Sequence, residues 1–506
     1  MNTPAYKVIR NIFANQLGFL VSIAVTFFLS PYVVHTLGDA RYGIWSLIVS
    51  FTGHYGLLTF GIQGALTRYM AYASASEDHA RMSGYLNTAL YLLLLSAGLI
   101  VVAGIIIAFL LERIFIIPAD LITEAKTASL LVAINAASTF ATAGFHSVLV
   151  ANQRFGIING IGIVSSLVRV AFTVWLLERG YGIIGLAILA IGLTILTGIV
   201  QFHIVKKTYL GLKLSLRLAS RSYLKELMDY GLKSFVIGIA VVLIYQCDLF
   251  VIGIYLPPGE ITIYSLGATL VAYLVQWLNT IAFVFGPYAT ERYTKGGVGE
   301  LSEFFIQGSC IMYMLAGLMV AGCLIFGEAF FTLWVGQRYT RSAAILTVLV
   351  VGQFFVAGGK VGGSLLVGMA KIGPLAIVAI CEGVCNIVLS IILIRYMGIL
   401  GVAVGTLLPH IFSNGIWLPL YVSRAINVKA GLIYMKSMFP GLIIVVTGLM
   451  IGYVVRIISI PVSWSAFTID IFLMLFCCFL FSYVLLFQVK RELFWKTVFL
   501  RAIGIK

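Results

Sequence analysis

Apolar runs of about 20 residues or more follow one another along the chain, separated by short polar segments. Wound as an α-helix, such a run matches the hydrocarbon core of a bilayer, about 30 Å thick; membrane β-strands would instead alternate over about 10 residues. The pattern predicts about fourteen transmembrane helices, near 11–35, 42–69, 85–111, 127–150, 155–177, 182–205, 234–256, 261–288, 303–327, 342–368, 372–394, 399–422, 438–459 and 466–488. Composition agrees: 61% of the 506 residues are hydrophobic, 10% are charged, and the mean hydropathy is +1.07. Soluble domains carry roughly 25% charged residues, so the chain is expected to be an all-α, polytopic membrane protein with no sizeable soluble domain.

The net charge of +15 changes meaning once it is placed on this pattern. With the N-terminus in the cytosol, 23 of the 33 Lys and Arg fall in inner segments and eight in outer ones, while acids divide evenly. That is the positive-inside bias, and it predicts a multi-pass inner-membrane protein with both termini cytosolic. The charge therefore needs no nucleic-acid partner. The first apolar run, after Lys7 and Arg10, is too long for a signal-peptide core and lacks a small-residue cleavage site, so it is expected to be retained. The outer loops are short, the longest about fifteen residues around Glu112 to Lys126. All seven Cys lie in apolar spans without metal or disulfide spacing, and no metal or cofactor is expected.

The chain is built twice. Gly182-Ile183-Ile184-Gly185-Leu186-Ala187 returns 216 residues later as Gly398-Ile399-Leu400-Gly401-Val402-Ala403. Upstream, Val148-Leu149-Val150-Ala151 with Arg154 and Gly156 answers to Leu365-Leu366-Val367-Gly368 with Lys371 and Gly373, at an offset of 217. An even number of spans per half gives both halves the same orientation. The predicted organisation is a six-helix unit over 1–205, a basic amphipathic linker over 206–233, a second six-helix unit over 234–424, and two extra helices with a basic tail over 425–506. Within the linker, Leu224, Leu227 and Met228 share a face and suggest a helix lying on the inner leaflet.

Polar side chains at bilayer depth are costly and mark either tight packing or a wet cavity. Asn11, Asn15, Gly18 and Ser22 form one stripe on span one, and Thr52, Gly56, Thr59 and Gln63 another on span two. Their repeat counterparts carry Gly231, Ser234, Gly238, Tyr245 and Asp248 on span seven, and Gln276 and Asn279 continuing to Gly286 and Thr290 on span eight. On spans five and eleven, Ser165, Arg169 and Thr173 overlie Glu382, Asn386 and Ser390. Four intramembrane charges stand out: Arg169, Asp248, Lys360 and Glu382. Each costs about 2.5–3.5 kcal/mol at a helix centre unless something offsets it. Lys360 and Glu382 could pair with each other; Arg169 has no acid on its own or the adjoining spans. Candidate ligand-binding residues are Arg169, Lys360, Arg68, Arg292, Asn15, Gln63, Tyr245, Gln276, Asn279 and Asn386, with Asp248, Glu382 and His54 as candidates for ion coupling.

There is no phosphate loop, nucleophile elbow or metal cluster, so the chain is not expected to be an enzyme. Several loose motifs in order do carry a resemblance: Asn15-Gln16, Pro31, Leu37-Gly38-Asp39 with Tyr42-Gly43-Ile44, Gly231-Leu232-Lys233-Ser234-Phe235, and Gln246-Cys247-Asp248-Leu249-Phe250-Val251-Ile252-Gly253 before Tyr264-Ser265-Leu266. Over roughly residues 8–425 the chain resembles bacterial polysaccharide transporters, a family that includes the O-antigen flippases, within the multidrug/oligosaccharidyl-lipid/polysaccharide exporter superfamily. The resemblance implies two six-helix bundles around a central cavity, lined mainly by spans one, two, seven and eight. It implies transport of undecaprenyl-diphosphate-linked oligosaccharide units from inner to outer leaflet by alternating access. Lipid-linked oligosaccharide and membrane lipids are the implied partners, with a polysaccharide polymerase and a chain-length regulator as further candidates. A family cavity of this kind is cationic, whereas here two positive intramembrane charges face two negative ones. Alternatives are a cation-coupled multidrug exporter of the same superfamily, a lipid II flippase, and a membrane glycan polymerase or ligase; the short outer loops count against the last.

Overall fold

The structure, a computed structural model, describes residues 4–282, 285–286, 298–369, 371–459 and 461–489. Every regular element among them is helical, and thirteen helical segments are long and apolar enough to cross a membrane. They are one fewer than the fourteen predicted spans because the segment Ala14–Thr59 covers most of the first two. It lies mostly within α1 (Pro4–Tyr55), where Gly38 leaves helical geometry at φ 74° and ψ 168°. The chain is a multi-pass membrane protein.

Two compact units divide it, Met1–Thr262 and Ile263–Lys506. The first holds α1, α2 (Ile62–Ala75), α3 (His79–Ile114), α4 (Ile122–Ala151), α5 (Phe155–Glu178), α6 (Gly182–Thr208), α7 (Arg221–Tyr245), α8 (Asp248–Tyr255) and the first turn of α9 (Pro258–Ala282). The helix after the basic segment thus packs into the first unit. A core of Leu66, Met70, Leu86, Leu93, Val148, Leu149 and Leu227 ties α2, α3, α4 and α7 together.

Leu227 corrects the expected interfacial helix. Residues 223–231 are the opening turns of α7, started by Ser220, whose hydroxyl accepts from the Ser222 amide. The apolar face that suggested contact with lipid packs on α2 and α3 instead. The preceding strand of chain is clamped by its backbone. The Asn87 amide donates to the Lys213 carbonyl at 2.7 Å and accepts from the Ser215 N–H at 2.9 Å; Ser83 Oγ accepts from the Lys213 N–H at 3.0 Å. Buried Ser83 and Asn87 on α3 therefore satisfy loop groups that would otherwise lack partners.

Predicted spans two and seven are each interrupted. A 3₁₀ turn over Gly56–Thr59 and left-handed residues Phe60 and Gly61 separate α1 from α2. The cause is a backbone crossing. A side chain on Gly61 would strike the Gly231 carbonyl, and one on Gly231 would meet the Phe60 carbonyl at 2.6 Å. The Thr52–Gly56–Thr59–Gln63 stripe is consequently not one helical face. On span seven, α7 stops at Tyr245 and α8 begins at Asp248, so Tyr245 and Asp248 stand on different helices.

The second unit contains most of α9, then α10 (Val298–Trp334), α11 (Arg341–Gly368), α12 (Ile372–Met397) and α13 (Ile399–His410). A π-helical stretch, Ile411–Trp417, continues α13 into α14 (Leu418–Ala425). After α15 (Ala430–Ile433) and a second π stretch, Tyr434–Met438, come α16 (Phe439–Ile458) and α17 (Trp464–Val489). The last two helices dock on α10. Gly441, Gly448 and Gly452 of α16 lie against Tyr313, Ala321 and Ile325, spaced so that small residues admit close helix contact.

The repeated hexapeptide has a local cause. Gly182 and Gly398 stand at φ 54° and 58°, at the starts of α6 and α13. Left-handed backbone costs an L-residue about 1–2 kcal/mol, which glycine avoids. A glycine of positive φ thus stands at the start of the corresponding helix in each half.

Candidate functional site

The predicted residues fall into three groups. The first lies in the first unit, on surfaces that unit does not itself cover: Asn15, Arg68, Arg169 and Tyr245 are exposed, and Gln63 is half-buried. Asn15 Oδ1 accepts from Asn159 Nδ2 at 2.7 Å, fastening α1 to α5. Arg68 is held by aromatic faces, its guanidinium 4.7 Å from the Tyr230 ring centre and 5.9 Å from that of Tyr72. Arg169 pairs with no carboxylate among the described residues, although Thr173, one turn on, is buried.

His54 and the start of α8 form the second group. His54 Nδ1 lies 3.2 Å from the Ser50 carbonyl, its ring centre is 4.5 Å from that of Phe250, and Nε2 is 3.9 Å from Cys247 Sγ. His54 thus packs against the first turn of the helix that begins at Asp248. The Nδ1 contact to a main-chain carbonyl identifies Nδ1 as the protonated nitrogen of neutral His54.

The third group, in the second unit, overturns the pairing considered for Lys360. Lys360 is half-buried and its Nζ donates to Asn279 Oδ1 at 2.7 Å, with no carboxylate on it among the described residues. Glu382 is buried against His410, Oε1 to Nδ1 at 2.5 Å, and its other oxygen accepts from Asn414 Nδ2 at 3.4 Å. Gln353, also buried, brings its amide within 3.4 Å of His410 Nε2. Its Oε1 has no hydrogen-bond partner among the described residues. Amide orientation is assigned from such networks. Turned over, Gln353 would offer its Oε1 to His410 Nε2.

Asn386 also faces inward. It is 1% exposed, and its Oδ1 accepts from Ser390 at 3.0 Å and Thr406 at 3.4 Å, so it joins α12 to α13. Gln276 and Asn279 on α9 are exposed. Arg292 and Thr290 lie outside the described residues. Sequence reasoning missed His410, Gln353 and Asn414. Thr406, His410 and Asn414 stand at steps of four on span twelve, the same spacing that marks the polar stripes of the other helices.

The described residues contain no cluster of His, Cys, Asp and Glu able to hold a metal ion. Arg169 in the first unit and Lys360 in the second are each an intramembrane cation that pairs with no carboxylate among the described residues.

Comparison with known proteins assigns the lineage. The family described as "Polysaccharide biosynthesis protein" matches residues 8–292. The uncharacterized membrane protein EpsK of Bacillus subtilis (strain 168) is 24% identical over 489 residues, 95% of each chain. A probable low-salt glycan biosynthesis flippase of Haloferax volcanii, Agl15, is 22% identical over 215 residues, 42% of this chain and 45% of that one. Among solved structures, the lipid II flippase MurJ in an inward closed conformation shares the fold at a TM-score of 0.74 and 14% identity, over 96% of this chain and 100% of that one. An inward-facing multidrug resistance transporter of the MATE family gives 0.64 and 16%, over 81% and 98%. The chain belongs to the polysaccharide biosynthesis protein family.

Proposed function

We propose that this protein moves undecaprenyl-diphosphate-linked oligosaccharide repeat units, of O-antigen or a related surface polysaccharide, across the bacterial inner membrane by alternating access. The observation that carries the reading is which intramembrane charges meet an opposite charge among the described residues. Glu382 has an internal partner in His410, whereas Arg169 and Lys360 have no carboxylate among the described residues. Two cations at bilayer depth call for an anion, and a diphosphate headgroup supplies one. In this reading Arg169 and Lys360 hold the diphosphate, and Arg68 and Arg292 draw it in from the cytosolic side. Asn15, Gln63, Tyr245, Gln276 and Asn279 bind sugar hydroxyls. Asn386 packs α12 on α13 and acts on the substrate only through that packing. Asp248, Glu382 and His54 are the groups available for coupling to an ion. The polyprenyl tail stays in lipid, which suits a site that needs to enclose only the polar end. The charge bias supports both termini being cytosolic. A polysaccharide polymerase and a chain-length regulator would act on the product.

The test is reconstitution. Proteoliposomes containing the protein should carry a fluorescent undecaprenyl-diphosphate oligosaccharide to the opposite leaflet faster than empty vesicles. Transport of cationic dyes instead, driven by a proton or sodium gradient, would favour the drug-exporter reading.

A further inference from the structure

A cavity of about 580 Å³ opens at the end of the first unit that the charge bias places outside. Its walls come from the Gly38 bend of α1, the start of α4 and the turn between α5 and α6. Thr36, Arg41, Asp120, Thr123, Glu124 and Tyr181 supply its polar lining. Small-molecule sites typically span about 300–1,000 Å³. None of the candidate residues discussed above lies on α4 or α6.

The lining is preorganised. Glu124 is held on both oxygens: Oε2 by Arg41 Nε at 2.9 Å, and Oε1 by the Ile183 N–H at 3.4 Å. The second contact depends on Gly182, since a side chain there would meet Glu124 Oε1 at 2.7 Å. Asp120 is exposed and takes no hydrogen bond from the described residues, and the Thr123 hydroxyl makes none either. Tyr181 is 56% exposed, with its ring stacked 6.4 Å from that of Trp175, which steadies an aromatic wall beside these groups.

The chemistry selects a ligand class. Two carboxylates against one guanidinium leave the lining net negative, which turns away phosphates. Carboxylates, hydroxyls and a guanidinium edge form donor and acceptor pairs suited to neighbouring hydroxyls, and an aromatic face suits the apolar face of a pyranose ring. The repeat supplies an internal control. At the offset that aligns the halves, Arg341 stands in place of Glu124 and Met397 in place of Tyr181, while the glycine turn is kept at Gly398. The scaffold therefore does not require the carboxylate or the ring.

We propose that this cavity binds a neutral sugar of the glycan on the outer side of the membrane. The inference deepens the transport reading and rests on it for the identity of the glycan. The experiment uses the full chain in lipid nanodiscs and saturation-transfer NMR with free galactose, N-acetylglucosamine and lactose. At least one should bind saturably in the millimolar range. Tyr181→Ala and Asp120→Asn, both at exposed positions, should weaken it tenfold or more at an unchanged melting temperature. Absence of binding by all three sugars, binding indifferent to both variants, or binding of Ca²⁺ with no sugar overturns the proposal. Failure here with lipid-linked glycan still translocated removes this site alone; sugar binding without translocation removes the transport reading and leaves the site.

Discussion

Replacing His410 by Ala should lower the stability of the protein by about 3–5 kcal/mol, the range found when one partner of a buried pair is removed. The carboxylate of Glu382 would keep only Asn414 at 3.4 Å, in a setting where Glu382 is 9% exposed. Glu382→Ala should act in the same direction, since it removes the carboxylate on His410 Nδ1. The double variant Glu382→Gln with His410→Gln removes both ionisable groups while keeping polar side chains, and it should recover most of the loss. Thermal unfolding in nanodiscs reads all four proteins. Equal melting temperatures for wild type and His410→Ala would mean that the pair contributes nothing and that Glu382 finds another partner.

The second large effect concerns the two cations without carboxylates. A hydrogen bond to a charged group contributes about 1.5–3 kcal/mol, so losing one phosphate contact should slow headgroup translocation by about 10- to 150-fold. Arg169→Ala and Lys360→Ala should each fall in that range in the proteoliposome assay, and the double variant further. Arg169 is exposed, so its removal should leave folding intact. Lys360→Ala gives up a single bond to Asn279. Translocation by the double variant at the wild-type rate would remove both residues from the site.

Much of the fold was legible because a bilayer writes its thickness into the length of apolar runs, and because the chain repeats. What the pattern could not carry was interruption. Apolar character continues through most of residues 56–61, and the break there follows from a backbone crossing between Gly61 and Gly231; the second break falls at Gln246-Cys247, before the fresh helix start at Asp248. Those causes are tertiary. The amphipathic look of residues 223–231 was real, but Leu227 meets α2 and α3, and sequence alone does not distinguish a protein core from a lipid surface.

The candidate site was read in part. Spacing placed Glu382, Asn386 and Ser390 on one face of α12, and they do share it, all three buried. The partners of that face could not be foreseen from the repeat, since the position equivalent to His410 in the first half, at the 216-residue offset of that span, is Thr194. Gln353, Glu382 and His410 come from three helices and meet only when the second unit folds. The duplication transmits the scaffold, as the glycine turns at 182 and 398 demonstrate. Polar chemistry has diverged on top of it, with Arg169 over Asn386, Ser165 over Glu382, and Glu124 over Arg341.

The central claim, that a lipid-linked glycan is the cargo, is tested most directly in cells. Deleting the gene and extracting the lipids should reveal accumulated undecaprenyl-diphosphate-linked repeat units together with loss of surface polymer, both reversed by the intact gene. Normal surface polymer with no lipid-linked intermediate, accompanied by greater sensitivity to cationic dyes, would contradict it.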